Sequence, residues 1–123
     1  MTKILIVDDD PMVRESTKAY LETQGFTIIC AKDGDEALSI FKDENADMAL
    51  IDIFMPNRGG FETIMSMHQN IPVIAMSGVS SHRFEPLSFA ESLGARSTLS
   101  KPFHPKELMK AIQDILDKPD LLH

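Results

Sequence analysis

The chain has 123 residues, a net charge of −7 and 43% hydrophobic residues. That length fits one domain, able to bury roughly two-thirds of its unfolded surface without disulfide or metal staples. The acidic balance excludes non-specific nucleic-acid binding, which needs Lys and Arg against phosphates, and no apolar stretch approaches the ~20 residues of a membrane span.

The first element is ILIVDDDP, residues 4–11. An apolar run, 4–7, has the composition of a strand and leads straight into Asp8, Asp9, Asp10 and Pro11. Two unit charges 4 Å apart repel by about 4 kcal/mol at an effective dielectric near 20. Water at a helix start, or a cation, has to relieve that cost. MTKILIVDDD also turns acidic too early for a signal peptide. Asp10 suits a helix cap and Pro11 the first helical position. Met12, Val13, Tyr20 and Leu21 then form an apolar stripe, and Gly25 stops the helix. A second strand at 26–30 ends on Cys30, which reads as a small buried hydrophobe in a reducing, cytoplasmic setting. Asp33 can cap the next helix, ahead of Ala37, Leu38, Ile40 and Phe41. The third strand, 48–51, runs into Asp52, a Met-Pro pair, and a helix over 61–68, with Gly59 and Gly60 permitting the turn into it. The fourth strand, 73–76, leads to Ser77 and Gly78, then to a helix from about 85 to 93 that Gly94 stops. A fifth strand, 97–99, is the weakest pattern. The last helix starts at Pro105, carries Leu108, Met109, Ile112, Ile115 and Leu116, and ends before Pro119.

Strand then helix, five times, predicts an α/β fold: a (βα)5 doubly wound, five-stranded parallel sheet with helices on both faces. The first four strands are near-continuously apolar, as in strands buried on both faces. Only 119–123 follow the last helix, so the expectation is one domain over 1–123 with no output domain.

In an open α/β sheet, ligands bind beyond the carboxyl ends of the strands, where strand order reverses. With the order 2-1-3-4-5, Asp8, Asp9, Asp52, Ser77 and Lys101 all reach one edge. Three converging carboxylates suit a hard cation such as Mg2+, which takes oxygen ligands. A metal, an ammonium and a hydroxyl together equip a site for phosphoryl transfer, with a carboxylate as nucleophile. Asp52, between a buried run and a Met-Pro loop, is the candidate.

ILIVDDDP, ALIDIFMPNRGGFE, PVIAMSG and KPF, in this order and near this spacing, resemble the receiver domains of two-component response regulators, over nearly the whole chain. The resemblance implies a CheY-like, flavodoxin-type fold. It implies that Asp52 is the phosphoacceptor and that Asp8 and Asp9 hold Mg2+, Asp9 more directly. It makes the backbone carbonyl of Phe54 a further metal ligand. Ser77, followed by Gly78, and Lys101 become the groups that bind the phosphoryl and switch. It also implies a cis peptide between Lys101 and Pro102. The donor would be a histidine kinase or a histidine phosphotransfer protein, and a separate effector would read the surface around helix four and strand five.

The chain departs from the family at Thr98, where an aromatic residue is usual. It departs at Arg58, where an apolar residue is common, and in a longer SSHRFEP loop before helix four. Phe54 and Val79, both apolar, should keep an attacking water out and slow self-dephosphorylation. Asp10 is left to capping. His68, His82, His104 and His123 share no metal-ligand spacing and read as surface. Met55 and Met67 are candidates for a partner surface, and Phe103 for packing under the lysine loop. Two other classes remain open. A phosphatase of the haloacid dehalogenase type would need a second acid two residues after Asp52, where Phe54 stands. A flavodoxin-like small-molecule binder would need a phosphate loop rich in Ser, Thr and Gly.

Overall fold

The computed structural model describes residues 2–53, 59–78 and 86–117. Five strands, β1 (Lys3–Val7), β2 (Thr27–Ala31), β3 (Met48–Asp52), β4 (Val73–Ser77) and β5 (Ser97–Ser100), alternate with five helices. These are α1 (Pro11–Thr23), α2 (Gly34–Asp43), α3 (Gly60–Met67), α4 (Pro86–Ser92) and α5 (Pro105–Asp117). The sheet is parallel, as the alternating pattern predicts, and its order is β2-β1-β3-β4-β5, the order that brings the candidate residues to one edge.

Successive side chains of a strand point to opposite faces, and the two cores follow that alternation. Leu5, Val7, Ala49, Ile51, Val73 and Ala75 share one core with Ile64 and Met67 of α3 and Ala90 of α4. Ile4, Ile6, Met48, Leu50, Ile74 and Met76 share the other with Leu21 of α1 and Leu108, Ile112 and Ile115 of α5. Two apolar faces per strand explain why β1, β3 and β4 carry continuous apolar runs. β2 does not fit that expectation: Ile28, Ile29 and Cys30 are only half-buried. It lies at the sheet edge, and an apolar run does not reveal whether a strand is central. Cys30 is accordingly half-buried rather than buried.

The helix starts form as their residues dictate. Asp10 accepts from the backbone N–H groups of Met12 and Val13, and Asp33 from that of Glu36, satisfying donors that a helix leaves unpaired. Met12 does not join the α1 stripe and is 81% exposed. One residue is 100° of helix, so Val13, Thr17, Tyr20 and Leu21 share a face and Met12 falls off it. Gly25 ends α1 with φ of 94°, a conformation glycine adopts without strain.

Gly60 is needed for contact rather than for its turn. A Cβ there would lie 2.2 Å from the Ile53 Cα and 2.4 Å from the Asp52 carbonyl oxygen, while Gly59 has open space. Met67 is fully buried, which removes it from any partner surface; the exposed methionines among the described residues are Met12 and Met65. His68 is half-buried and packs at the end of α4, where a Cβ on Gly94 would meet its ring at 2.4 Å. Met55, Arg58, His82, His123 and the segment 80–85 of the long loop lie outside the described residues.

Candidate functional site

The site grows from the register of β1 and β3. Val7 pairs with Ile51, so Asp8, one residue past β1, stands beside Asp52 at the end of β3. The direction of sheet growth reverses between these strands, which is where α/β sheets open a crevice. The alternation of side chains divides the aspartates. Asp8 is fully buried and Asp9 exposed, while Asp52 is 7% exposed. One carboxylate oxygen from each of Asp8, Asp9 and Asp52 lies within 4.8 Å of the others.

Lys101 follows β5, two strands away from Asp52, and reaches back across the edge. Its Nζ donates to Asp8 Oδ2 at 2.6 Å and to Asp52 Oδ2 at 3.1 Å. The peptide between Lys101 and Pro102 is cis. Burial pulls the lysine's pKa down. The hydrogen bond to Asp8, then the charge of and hydrogen bond to Asp52, outweigh it, and the net shift is upward from 10.5. The ammonium thus stays charged among the carboxylates, which relieves the repulsion built into DDD.

Asp8 takes donors on both oxygens: the N–H of Asp10 reaches Oδ1 at 3.0 Å and Lys101 holds Oδ2. Arg14 Nη1 donates to the Asp8 backbone carbonyl at 2.8 Å. The sequence reading missed Arg14; its only signal is that it sits one turn inside α1, on the helix that starts at the acidic run. Asp10 serves as the cap and stands outside the cluster, as its sequence context implies.

Ser77 ends β4, 2% exposed, one residue beyond Met76, which pairs with Asp52. Gly78 follows beside Lys101, where a Cβ would lie 3.6 Å from the lysine Cβ. Asp8, Asp9, Asp52 and Lys101 are therefore brought together, with Ser77 and Gly78 at the neighbouring strand end. Thr98 is not at this edge. It pairs with Ala75 in β5 and lines a shallow hollow of about 240 Å3 with Glu107, Lys110 and Asp114. Phe103 packs against the α1–α5 core and, with Val13, Thr17, Lys101 and Pro102, borders a hollow of about 440 Å3. His104 is exposed and binds the start of α5 through Nδ1, which accepts from the Lys106 N–H. Phe54 and Val79 lie outside the described residues, and with them the carbonyl ligand and the water-excluding pair.

The donor set fits Mg2+, which takes hard oxygens and needs one or two carboxylates beside water and phosphate. Among the described residues no other group of three or more His, Cys, Asp or Glu offers ligands so close together.

Residues 4–113 match the response regulator receiver domain family. The chain belongs to that family. Receiver domains are the phospho-accepting signalling modules of two-component systems, and this receiver has the relatives expected of one. The transcriptional regulatory protein CpxR of Escherichia coli K12 is 38% identical over 118 residues, covering 94% of this chain and 50% of that protein. The receiver thus spans about half the length of the curated relatives it matches. A CheY-like receiver domain protein from Methanospirillum hungatei superposes with a TM-score of 0.90 at 30% identity, over 100% of this chain and 99% of that one. TrrA of Thermotoga maritima, solved in complex with Mg(2+)-BeF, gives 0.79 at 32% identity, over 94% and 99%. No described helix of the receiver is long and apolar enough to cross a membrane.

Proposed function

We propose that Asp52 accepts a phosphoryl group from a phosphohistidine, on a histidine kinase or a histidine phosphotransfer protein, and that the added charge switches the α4–β5 surface for an effector. One observation carries this reading: a nearly buried carboxylate at a strand end shares one lysine with a second, fully buried carboxylate, beside a third that is exposed.

The chemistry asks little covalent work of the protein. A carboxylate oxygen of Asp52 forms the new P–O bond as the P–N bond of the donor breaks. The electron pair stays on the imidazole nitrogen, and because the ring's other nitrogen carries a proton in the phosphohistidine, the ring leaves as neutral imidazole. Lys101 already sits where charge gathers on the phosphoryl oxygens and needs only a small movement from Asp52 Oδ2 to meet them. Ser77 donates its hydroxyl from the neighbouring strand end. Asp9 and Asp52 would hold Mg2+ directly and Asp8, whose two oxygens already take donors, less directly; the ion would offset the charge shared by carboxylates and phosphoryl. That a neighbour of this fold was solved with Mg(2+)-BeF supports Mg2+ as the cation. A cytoplasmic location goes with the same reading.

Intact-mass measurement after acetyl phosphate tests it. The wild type should gain one phosphoryl mass only with Mg2+, and Asp52→Asn should gain none. An adduct that survives Asp52→Asn, or forms equally with a chelator present, would overturn the assignment.

A further inference from the structure

The acidic loop after β1 is held at more points than a capped helix start needs. The Asp8 N–H donates to the Ala31 carbonyl at 3.1 Å. The Asp8 carboxylate takes the Asp10 N–H and Lys101 Nζ. Asp10 caps α1, and the Arg14 N–H closes the first turn on the Asp10 carbonyl at 2.9 Å. The Asp8 carbonyl is held as well, by Arg14 Nη1 at 2.8 Å.

Side chains on a helix lean toward its N-terminus, so a long one near the start of α1 reaches back past the cap. α1 is itself seated through buried Thr17 and Leu21, which gives Arg14 a fixed base. An arginine beside three acids would be expected to pair with a carboxylate. Among the described residues the Arg14 guanidinium makes no ion pair, and its bond goes to a peptide instead. That peptide joins Asp8 to Asp9. Asp9 is exposed, and among the described residues nothing bonds its carboxylate. One of its oxygens nevertheless lies within 4.8 Å of oxygens of Asp8 and Asp52. The backbone brings it there, and the plane of the 8–9 peptide sets the direction in which the Asp9 side chain leaves.

We propose that Arg14 is a positioning residue for the metal site: by holding the Asp8 carbonyl it fixes the 8–9 peptide and keeps Asp9 poised with Asp52 around one cation. The proposal rests on Mg2+ as that cation and on Asp9 as its ligand. A ligand already held in place loses less freedom when the ion binds. The charge of Arg14 works the other way, because a nearby cation repels a divalent one. Position and charge therefore have opposite signs, and removing the guanidinium tells them apart.

The test titrates the whole 15N-labelled chain with Mg2+, following backbone amides, with urea unfolding in chelator to confirm that each variant folds. Arg14→Gln should bind Mg2+ about two- to tenfold more weakly than wild type, the equilibrium equivalent of one hydrogen bond. Arg14→Lys keeps a charge and one donor, and should bind more tightly than Arg14→Gln although its charge repels the ion. In an Asp9→Asn background Arg14→Gln should cause no further loss, since the ligand it positions is gone. Unchanged or tighter binding by Arg14→Gln would overturn the proposal. So would Arg14→Lys binding more weakly than Arg14→Gln, the order that charge alone dictates, or the same loss appearing in the Asp9→Asn background. These results leave Mg2+ at Asp9 and Asp52 intact; a wild type with no saturable response to Mg2+ removes both.

Discussion

Lys101 and Lys110 hold carboxylate oxygens at similar distances, 2.6 and 3.1 Å for the first and 2.9 Å to Asp114 for the second. The settings are opposite. The Lys101 side chain is 19% exposed and those of Asp8 and Asp52 are 0% and 10%, against 76% and 61% for Lys110 and Asp114. Water and side-chain entropy cancel most of what an exposed pair gains. In a dry setting the same bond cannot be replaced by solvent, and losing one partner strands a charge. The difference between the two lysines is therefore a difference in what depends on them. One joins three chain segments at the site, and the other decorates a helix.

The sharpest way to break this comparison is Lys101→Met. Without Mg2+ it should cost about 3 kcal/mol of stability at neutral pH, because two buried carboxylates lose their cation; urea unfolding measures it. A cost near zero would mean that water reaches the cluster freely. Next in size is the metal. At a hundredfold excess over its dissociation constant, Mg2+ should stabilise the wild type by about 2.7 kcal/mol. Asp9→Asn should lose most of that gain yet match the wild type in chelator, since Asp9 is exposed and outside the lysine's grasp.

Cys30 extends the comparison to burial without a partner. Burial raises its pKa above 9.0, and the nearby charges of Lys18, Glu15, Arg14 and Glu22 pull in both directions and do not reverse it. The folded chain then keeps a proton that the unfolded chain has lost, so stability falls as pH rises from 9.0 through the raised value. The thiol should also react with iodoacetamide at pH 8 more slowly in the folded chain than in urea. Smallest of all, Lys110→Ala should change stability by no more than about 0.5 kcal/mol, and that change should vanish in high salt.

These contrasts also mark what the sequence could and could not display. β1, β3 and β4 were legible because strands with two buried faces need unbroken apolar runs. The edge position of β2 was not, since its composition is the same. The caps at Asp10 and Asp33 are local events and could be read locally. Asp8, Asp9 and Asp52 could be grouped because the strand order places their strand ends together. That the buried one of the pair, Asp8, is bonded by Lys101 depends on a lysine 93 residues away. Arg14 on the Asp8 carbonyl, Gly60 on the acceptor strand and His68 under Gly94 all rest on close approaches between distant segments. No spacing announces such contacts, and His68 looked like an ordinary surface histidine for that reason.

The central claim concerns one atom group, the Asp52 carboxylate, and trapping tests it most directly. The protein is phosphorylated with acetyl phosphate and Mg2+, reduced with borohydride, digested and sequenced by mass. An acyl phosphate is reduced to the alcohol, so homoserine should appear in place of Asp52 and at no other aspartate. Homoserine at Asp8 or Asp9, or a phosphoryl group retained on a histidine, would contradict the account.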